Sequence, residues 1–488
     1  MDDCNSDHPF EIKEEVKNKS KYMIAKQLIE PKSIVVVGGS DDIHKPGGTV
    51  LRNLQDGNFK GSLYVVNPKM DEVQGIKAYR DVKDLPEVDC AILAIAAKFC
   101  PSTVEVLAKQ KNAKAFIILS AGFHEENEEG AKLERQIVET INSVGGSLIG
   151  PNCIGVLTNH YSGVFTSPIP ELNPQGVDLI SGSGATALFI MDSGMQKGIK
   201  FNSMYSVGNS AQLGVEEILE YMDESFDPKT SSRVKLLYVE SIEKPEKLLK
   251  HASSLIRKGC RIAAVKSGGS AAGSRAASSH TGALASSDVA VEALFRKAGI
   301  VRCNGRDELM TVAGIFMHPE MKGRNMAVVT HAGGPAVMLT DALSNGGMDV
   351  PHIEGEKAQE LLTKLFAGSS VGNPIDFLAT GTAEQLGYIL DACDQDFDNI
   401  DGMAVIFGSP GLFPVFDVYR VLDEKMKTSK KPIFPIFPSS KIVKDEIAEF
   451  VSKGRVYFPD EVLFGNALCK IYKTPAPQPE HFEMPDMD

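Results

Sequence analysis

The residues best placed for chemistry lie in the run Ser278-Ser279-His280-Thr281-Gly282-Ala283-Leu284, where one imidazole stands among small side chains. Neutral imidazole is a good nucleophile toward phosphorus near pH 7. A loop of Gly, Ser and Ala leaves backbone N–H groups open to an anion, and Ser267 to Ser279 has that composition. A phosphohistidine is one natural reading; a histidine that only orients a turn is the other. The elements that must position His280 are a short buried strand, Arg261 to Lys266, and a helix from Ala283 to Lys297. Between them Ser267 to Ser274 reads as an irregular loop.

The chain has 488 residues, enough for about three domains. Its 43% hydrophobic content is that of an ordinary soluble globular protein, and a net charge of −13 argues against a general nucleic-acid binder. Met1 to Lys21 mixes acidic and basic residues without an apolar core, so neither a signal nor a transit sequence is expected there. No run approaches a membrane span. The eight cysteines are scattered without a CxxC pair, so we expect reduced thiols, no metal site and a cytoplasmic protein.

The first unit opens with the β-branched run Ser33 to Val37, the turn Gly38-Gly39-Ser40 and a helix expected from Thr49 to Gln55: a Rossmann-like beginning. The spacing is not GxGxxG. The second strand, Ser62 to Val66, ends in Asn67-Pro68-Lys69, where a nicotinamide-binding fold would place an acidic residue on the ribose. A lysine there favours a phosphate, and its bland reading is a solvated surface residue. Strand Val88 to Ile95 runs into Ala96, small enough for a ligand to lie against the strand end. Later strands lead to Ser120-Ala121-Gly122-Phe123 and to Gly150-Pro151-Asn152-Cys153-Ile154-Gly155.

A second α/β unit begins near Gly176. Strand Val177 to Ile180, the turn Ser181-Gly182-Ser183-Gly184 and a helix from Thr186 to Lys197 present free N–H groups at a helix N-terminus, an anion site in kind. Strand Val234 to Val239 ends at Glu240, on the carboxyl edge where open α/β sheets place their sites; from there Glu240 is expected to reach the His280 ring and stabilise its charged form. A third unit repeats the pattern: Met326 to Thr330, then His331-Ala332-Gly333-Gly334-Pro335 and a helix from Ala336. Everything after Thr474 reads as a disordered tail.

In this order the motifs resemble the alpha subunit of NDP-forming acyl-CoA synthetases, the acetate–CoA ligase (ADP-forming) relatives of succinyl-CoA synthetase, over roughly residues 22 to 474. The matching pieces are Gly38-Gly39-Ser40 with Lys45, Asn67-Pro68-Lys69, Ser120 to Phe123, Gly150 to Gly155, Ser181 to Gly184, Ser206-Val207-Gly208-Asn209, Ser279 to Ala283 and Ala332 to Pro335. The resemblance implies a Rossmann-like CoA-binding domain over 23–155 after an N-terminal extension, then two flavodoxin-like, succinyl-CoA-synthetase-type domains over 156–310 and 311–473. It implies that CoA is held by Gly38, Gly39, Ser40, Lys45, Asn67, Lys69, Ala96 and Asn152, and that His280 is phosphorylated in turnover and stabilised by Glu240. The phosphoryl group would sit between helix N-termini, with Ser181, Ser183 and Gly184 on one side and Gly333 and Gly334 on the other. In the family an ATP-grasp module passes it to ADP or GDP. That module and a P-loop are both missing from the sequence, so ATP or ADP and magnesium are expected on a separate beta subunit, in an α2β2 heterotetramer. One departure stands out: His331 replaces the Asn expected before the Ala-Gly-Gly-Pro turn, and we read it as occupying a strand end.

Two other readings compete. A non-catalytic CoA-binding regulator would dispense with the Ser279-His280-Thr281-Gly282 run, which is intact. A succinate or citrate ligase of the same superfamily would keep it. The acyl group is not legible from the chain, and acetate is the commonest choice in the family.

Overall fold

The computed structural model describes residues 24–57, 59–281, 287–409 and 414–479, with backbone alone for 277–281. Three sheets follow one another along the chain. The first contains β1 (Ser33–Val37), β2 (Ser62–Val66), β3 (Glu72–Val73), β4 (Ile76–Tyr79), β5 (Cys90–Leu93), β6 (Ala115–Ile118) and β7 (Ser147–Ile149), in the order β3-β4-β2-β1-β5-β6-β7. All pairs are parallel except β3 with β4. The apolar runs explain the parallel arrangement: β1, β5 and β6 are almost wholly buried, as strands covered by helices on both faces must be.

The second sheet contains β8 (Gly155–Leu157), β9 (Ser162–Val164), β10 (Leu172–Ser181), β11 (Phe201–Ser206), β12 (Val234–Val239), β13 (Arg261–Lys266) and β14 (Val301–Cys303), ordered β14-β13-β12-β10-β11-β8-β9. Its parallel body carries an antiparallel edge formed by β8 and β9. The third holds β15 (Met326–Thr330), β16 (Ile375–Asp376), β17 (Gly402–Ile406) and β18 (Ile433–Ile436), ordered β16-β15-β17-β18 and parallel throughout. The architecture is the α/β fold expected. The boundary expected at 310 falls inside helix Arg306–Phe316, which packs both on β12 and β13 and on helix Glu461–Lys473.

In the parallel body of each sheet the chain leaves a central strand, builds to one side, and returns on the other. The crevice where the strand order reverses is the usual ligand position in such folds. It lies between β1 and β5, between β10 and β12, and between β15 and β17. The second and third units also repeat each other in detail. The Ser181 hydroxyl donates to the Ser183 carbonyl (2.7 Å) and accepts the Ser183 N–H (3.2 Å). The Thr330 hydroxyl does the same with Ala332, at 2.8 and 3.0 Å. A helix then begins at once in both, Gly184–Gln196 and Gly333–Asn345.

The units are joined by shared cores. Ile34, Ile92, Tyr161, Ile180 and Leu237 belong to one apolar cluster spanning the first two sheets, and Leu179, Ile190, Met310, Val328 and Phe464 to another spanning the last two. Full burial of such a side chain contributes about 1.5–3 kcal/mol.

Three expected elements differ. The helix expected from Thr49 is Pro46–Asp56, because Pro46 sits where its missing N–H costs nothing and takes Gly47 and Gly48 into the first turn. The stretch read as an irregular loop before His280 is helical over Ala271–Thr281. There Ser270 caps the start, its hydroxyl accepting the Gly273 N–H at 3.0 Å, and alanines outweigh the single glycine. The helix expected from Ala283 is Asp288–Ala298, with Ser287 at its N-cap; residues 282–286 lie outside the described ones. Disorder expected from Thr474 does not hold to 479: the Gln478 N–H donates to Lys297 O (3.0 Å), and Arg257 donates to Gln478 O (2.8 Å). Residues 480–488 lie outside the described ones.

Candidate active site

The residues assigned to CoA gather at the first switch point. Gly38 takes φ of +87°, and a Cβ there would lie 2.5 Å from the Ala94 carbonyl oxygen, so glycine lets the β1 turn close over the end of β5. Asn67 fixes the neighbouring strand end: its amide donates to Gly39 O (2.9 Å) while its oxygen accepts the Lys69 N–H (2.9 Å). Ser40 is tied in through its carbonyl, which accepts the Gln74 amide (2.7 Å). Lys45 occupies the N-cap position of helix Pro46–Asp56 without a side-chain cap bond, and its ammonium stands 3.8 Å from Asp42. Lys45, Lys69 and Ala96 are exposed along this edge. Two lysines beside an open helix N-terminus, with a cradle narrowed by Gly38, fit a phosphorylated ligand such as CoA.

Asn152 lies further along the same carboxyl edge, at φ of +56°, a conformation that asparagine tolerates better than most residues. It opens onto a cavity of about 650 Å³ between the first and second sheets. From the first unit His124, Glu134 and Asn152 line it; from the second come Ser183, Gly184, Asn209 and Glu240. Ser183 and Glu240 therefore flank the switch point between β10 and β12. The loop after Glu240 is pinned by Glu216, whose carboxylate accepts the N–H groups of Glu243 (2.9 Å) and Lys244 (3.0 Å).

Ser181 is placed differently from what was expected. It is fully buried and its hydroxyl is committed to the Ser183 backbone, so it shapes the turn and does not face the cavity. Ser183 caps the helix, accepting the Thr186 N–H at 3.4 Å. Gly333 and Gly334 occupy the equivalent turn of the third sheet and are not part of this cavity. The side chain of His280 lies outside the described residues; its backbone ends the helix that follows β13.

Lys266, at the end of β13, was missed by sequence reasoning. It is 6% exposed; burial pulls its ammonium below the ordinary lysine range, while Asp288 and Glu240 oppose that. Its register partner is Val239, immediately before Glu240. His331 stacks on Phe407 with centroids 4.3 Å apart, and burial pulls its pKa down. The ring thus packs against an aromatic neighbour just past the end of β15. Cys153 also faces the cavity, but burial pushes its thiol up to about 12, and its sulfur contacts Ile118 O at 3.3 Å; it is no nucleophile.

Among the described residues no group of three or more His, Cys, Asp or Glu could hold a metal ion. None of the described helices is long and apolar enough to cross a membrane.

Comparison with known proteins gives the same picture. Residues 32–159 match the CoA binding domain model, and residues 174–316 the succinyl-CoA ligase like flavodoxin domain. The chain is 33% identical over 434 residues to the acetate–CoA ligase (ADP-forming) II subunit alpha of Pyrococcus furiosus, covering 88% of this chain and 93% of that protein. It is 36% identical over 380 residues to acetate–CoA ligase (ADP-forming) I of Archaeoglobus fulgidus, spanning 77% of this chain but 53% of that protein. The structure of the dinucleotide forming acetyl-coenzyme A synthetase 1 of Ca. Korarchaeum cryptofilum, in complex with phosphate and ADP, superposes with a TM-score of 0.81 at 27% identity, over 91% of this chain and 96% of that one. Fold and site together define a CoA-binding protein of the succinyl-CoA ligase type. The chain belongs to the family of ADP-forming acetate–CoA ligase alpha subunits.

Proposed function

We propose that this chain catalyses the acyl-transfer half of an ADP-forming acyl-CoA synthetase, with acetyl-CoA as its thioester. The observation that carries the reading is the cavity in which Ser183, Gly184 and Glu240 of one switch point meet Asn152 of the CoA-binding unit. A phosphate bound at the Ser183–Gly184 helix N-terminus has its charge offset by backbone dipoles without a metal. Its oxygen attacks the thioester carbonyl, the C–S bond breaks, and the acyl phosphate stays away from bulk water.

His280 then takes the phosphoryl group and releases the carboxylic acid, while Glu240 stabilises the charged ring. The turn at Gly333–Gly334 belongs to the phosphoryl-holding stage and takes no part in acyl transfer. ADP and magnesium are bound by a separate ATP-grasp subunit in an α2β2 assembly. The name of the Pyrococcus furiosus relative, a subunit alpha, supports a separate partner subunit. The seven described cysteines, all buried and unpaired, support the cytoplasm as its compartment.

Reconstitution tests this. The chain mixed with an ATP-grasp subunit should form a heterotetramer and make ATP from acetyl-CoA, ADP and phosphate, and His280→Ala should abolish ATP formation. ATP formation undiminished in that variant would overturn the phosphohistidine route.

A further inference from the structure

His124 follows the Ser120-Ala121-Gly122-Phe123 turn at the end of β6, and its ring faces the cavity. Its Nδ1 lies 2.7 Å from Glu134 Oε1 on the helix Glu128–Ser143; the two side chains are 30% and 12% exposed. The second Glu134 oxygen accepts the Asn209 amide at 3.2 Å. Asn209 also donates to Glu125 and accepts from Asn152 at 3.3 Å, so the pair is braced from both units. An exposed ion pair would need no such bracing. A carboxylate that holds Nδ1–H orients the ring and leaves Nε2 as the nitrogen that exchanges a proton, the arrangement of a proton carrier.

We propose that His124, oriented by Glu134, is the proton carrier of acyl transfer; the proposal rests on the acyl-transfer reading above. In that step a hydrogen phosphate oxygen forms a bond to the acyl carbon as the carbon–sulfur bond breaks. The imidazole takes the phosphate proton and delivers it to the departing thiolate, so acyl-CoA and hydrogen phosphate give acyl phosphate and CoA thiol. In reverse the same nitrogen removes the thiol proton. The site is built for this: His124 stands on the edge that holds CoA, and Ser183 and Gly184 stand on the other wall of the same cavity.

Arsenate tests the step in isolation, because an acyl arsenate hydrolyses spontaneously and CoA thiol release from acetyl-CoA can be followed without nucleotide. With the full chain, His124→Gln should lower kcat about a hundredfold, with KM for acetyl-CoA changed less than about threefold. Glu134→Gln, a positioning residue, should lower kcat about tenfold, again with little change in KM. In His124→Gly, free imidazole should restore thiol release, which no merely structural role would allow. Wild-type kcat in His124→Gln, or a folded His124→Gly that binds CoA but is not rescued, would overturn the proposal. A wild-type chain that releases no thiol would instead overturn the acyl-transfer reading beneath it.

Discussion

The Asn152 amide donates to the Asn209 side-chain oxygen at 3.3 Å, and through that contact the loop after β7 is tied to the loop after β11. Asn209 sends its own amide to Glu125 and Glu134. The Asn209 side chain thus ties the cavity walls of two units together, beside the backbone bonds from Asn209 N–H to Pro151 O (2.9 Å) and from Ala211 N–H to Gly150 O (3.2 Å).

Removing it should be felt in stability. Burial pushes the Glu125 carboxyl up, but the hydrogen bond from Asn209 and those from the Gly122 and Phe123 N–H groups outweigh this and hold it below the usual range. Asn209→Ala removes a donor from two carboxylates, so we expect a loss of about 1–3 kcal/mol at pH 7. Urea unfolding measures it; an unchanged midpoint would show that the two units do not depend on this bridge.

Lys69 is exposed at the end of β2, where an acidic residue would mark a nicotinamide site. Lys69→Glu should weaken CoA binding about tenfold or more, and Lys69→Arg should retain it. Titration calorimetry with CoA decides. Equal affinity in the charge-reversed variant would move the ligand phosphates elsewhere.

Glu217 sets a pH dependence. Burial raises its carboxyl, but bonds from Lys244 (2.8 Å), Lys247 (3.0 Å) and the Gly214 N–H (3.0 Å) hold it below 4.5. A carboxyl lowered by folding stabilises the fold above its unfolded value, and that contribution is lost as pH falls through the folded value. Glu217→Gln should therefore be less stable than wild type near pH 7, by on the order of 2 kcal/mol. The gap should narrow as pH drops below 4.5. A gap that is constant with pH would mean that packing, not charge, is what Glu217 supplies.

The long parallel strands were legible because strands covered on both faces appear as continuous apolar runs, as β1, β6, β12 and β15 do; the short strands β3, β4, β8, β9, β14 and β16, of two to four residues, carry no such run and were not read. The strand-end turns followed, and with them Gly38, Asn67, Ser183 and Glu240. The helix Ala271–Thr281 was not legible, since its small residues suit a loop as well as a helix and the Ser270 cap decides between them. Ser181 and Ser183 look alike in sequence, but the first closes its own turn from a buried strand end while the second caps a helix. His124 directly follows a turn that the sequence did mark. Its partner Glu134 is on the next helix and Asn209 lies in another unit, so only the folded chain brings them together.

The central claim is that His280 carries the phosphoryl group. Incubating the full chain with acetyl-CoA and radiolabelled phosphate should place acid-labile, alkali-stable label on the wild-type protein and none on His280→Ala. Label of equal amount on both proteins would contradict the account, as would its absence from the wild type with the ATP-grasp subunit and other acyl-CoA thioesters supplied.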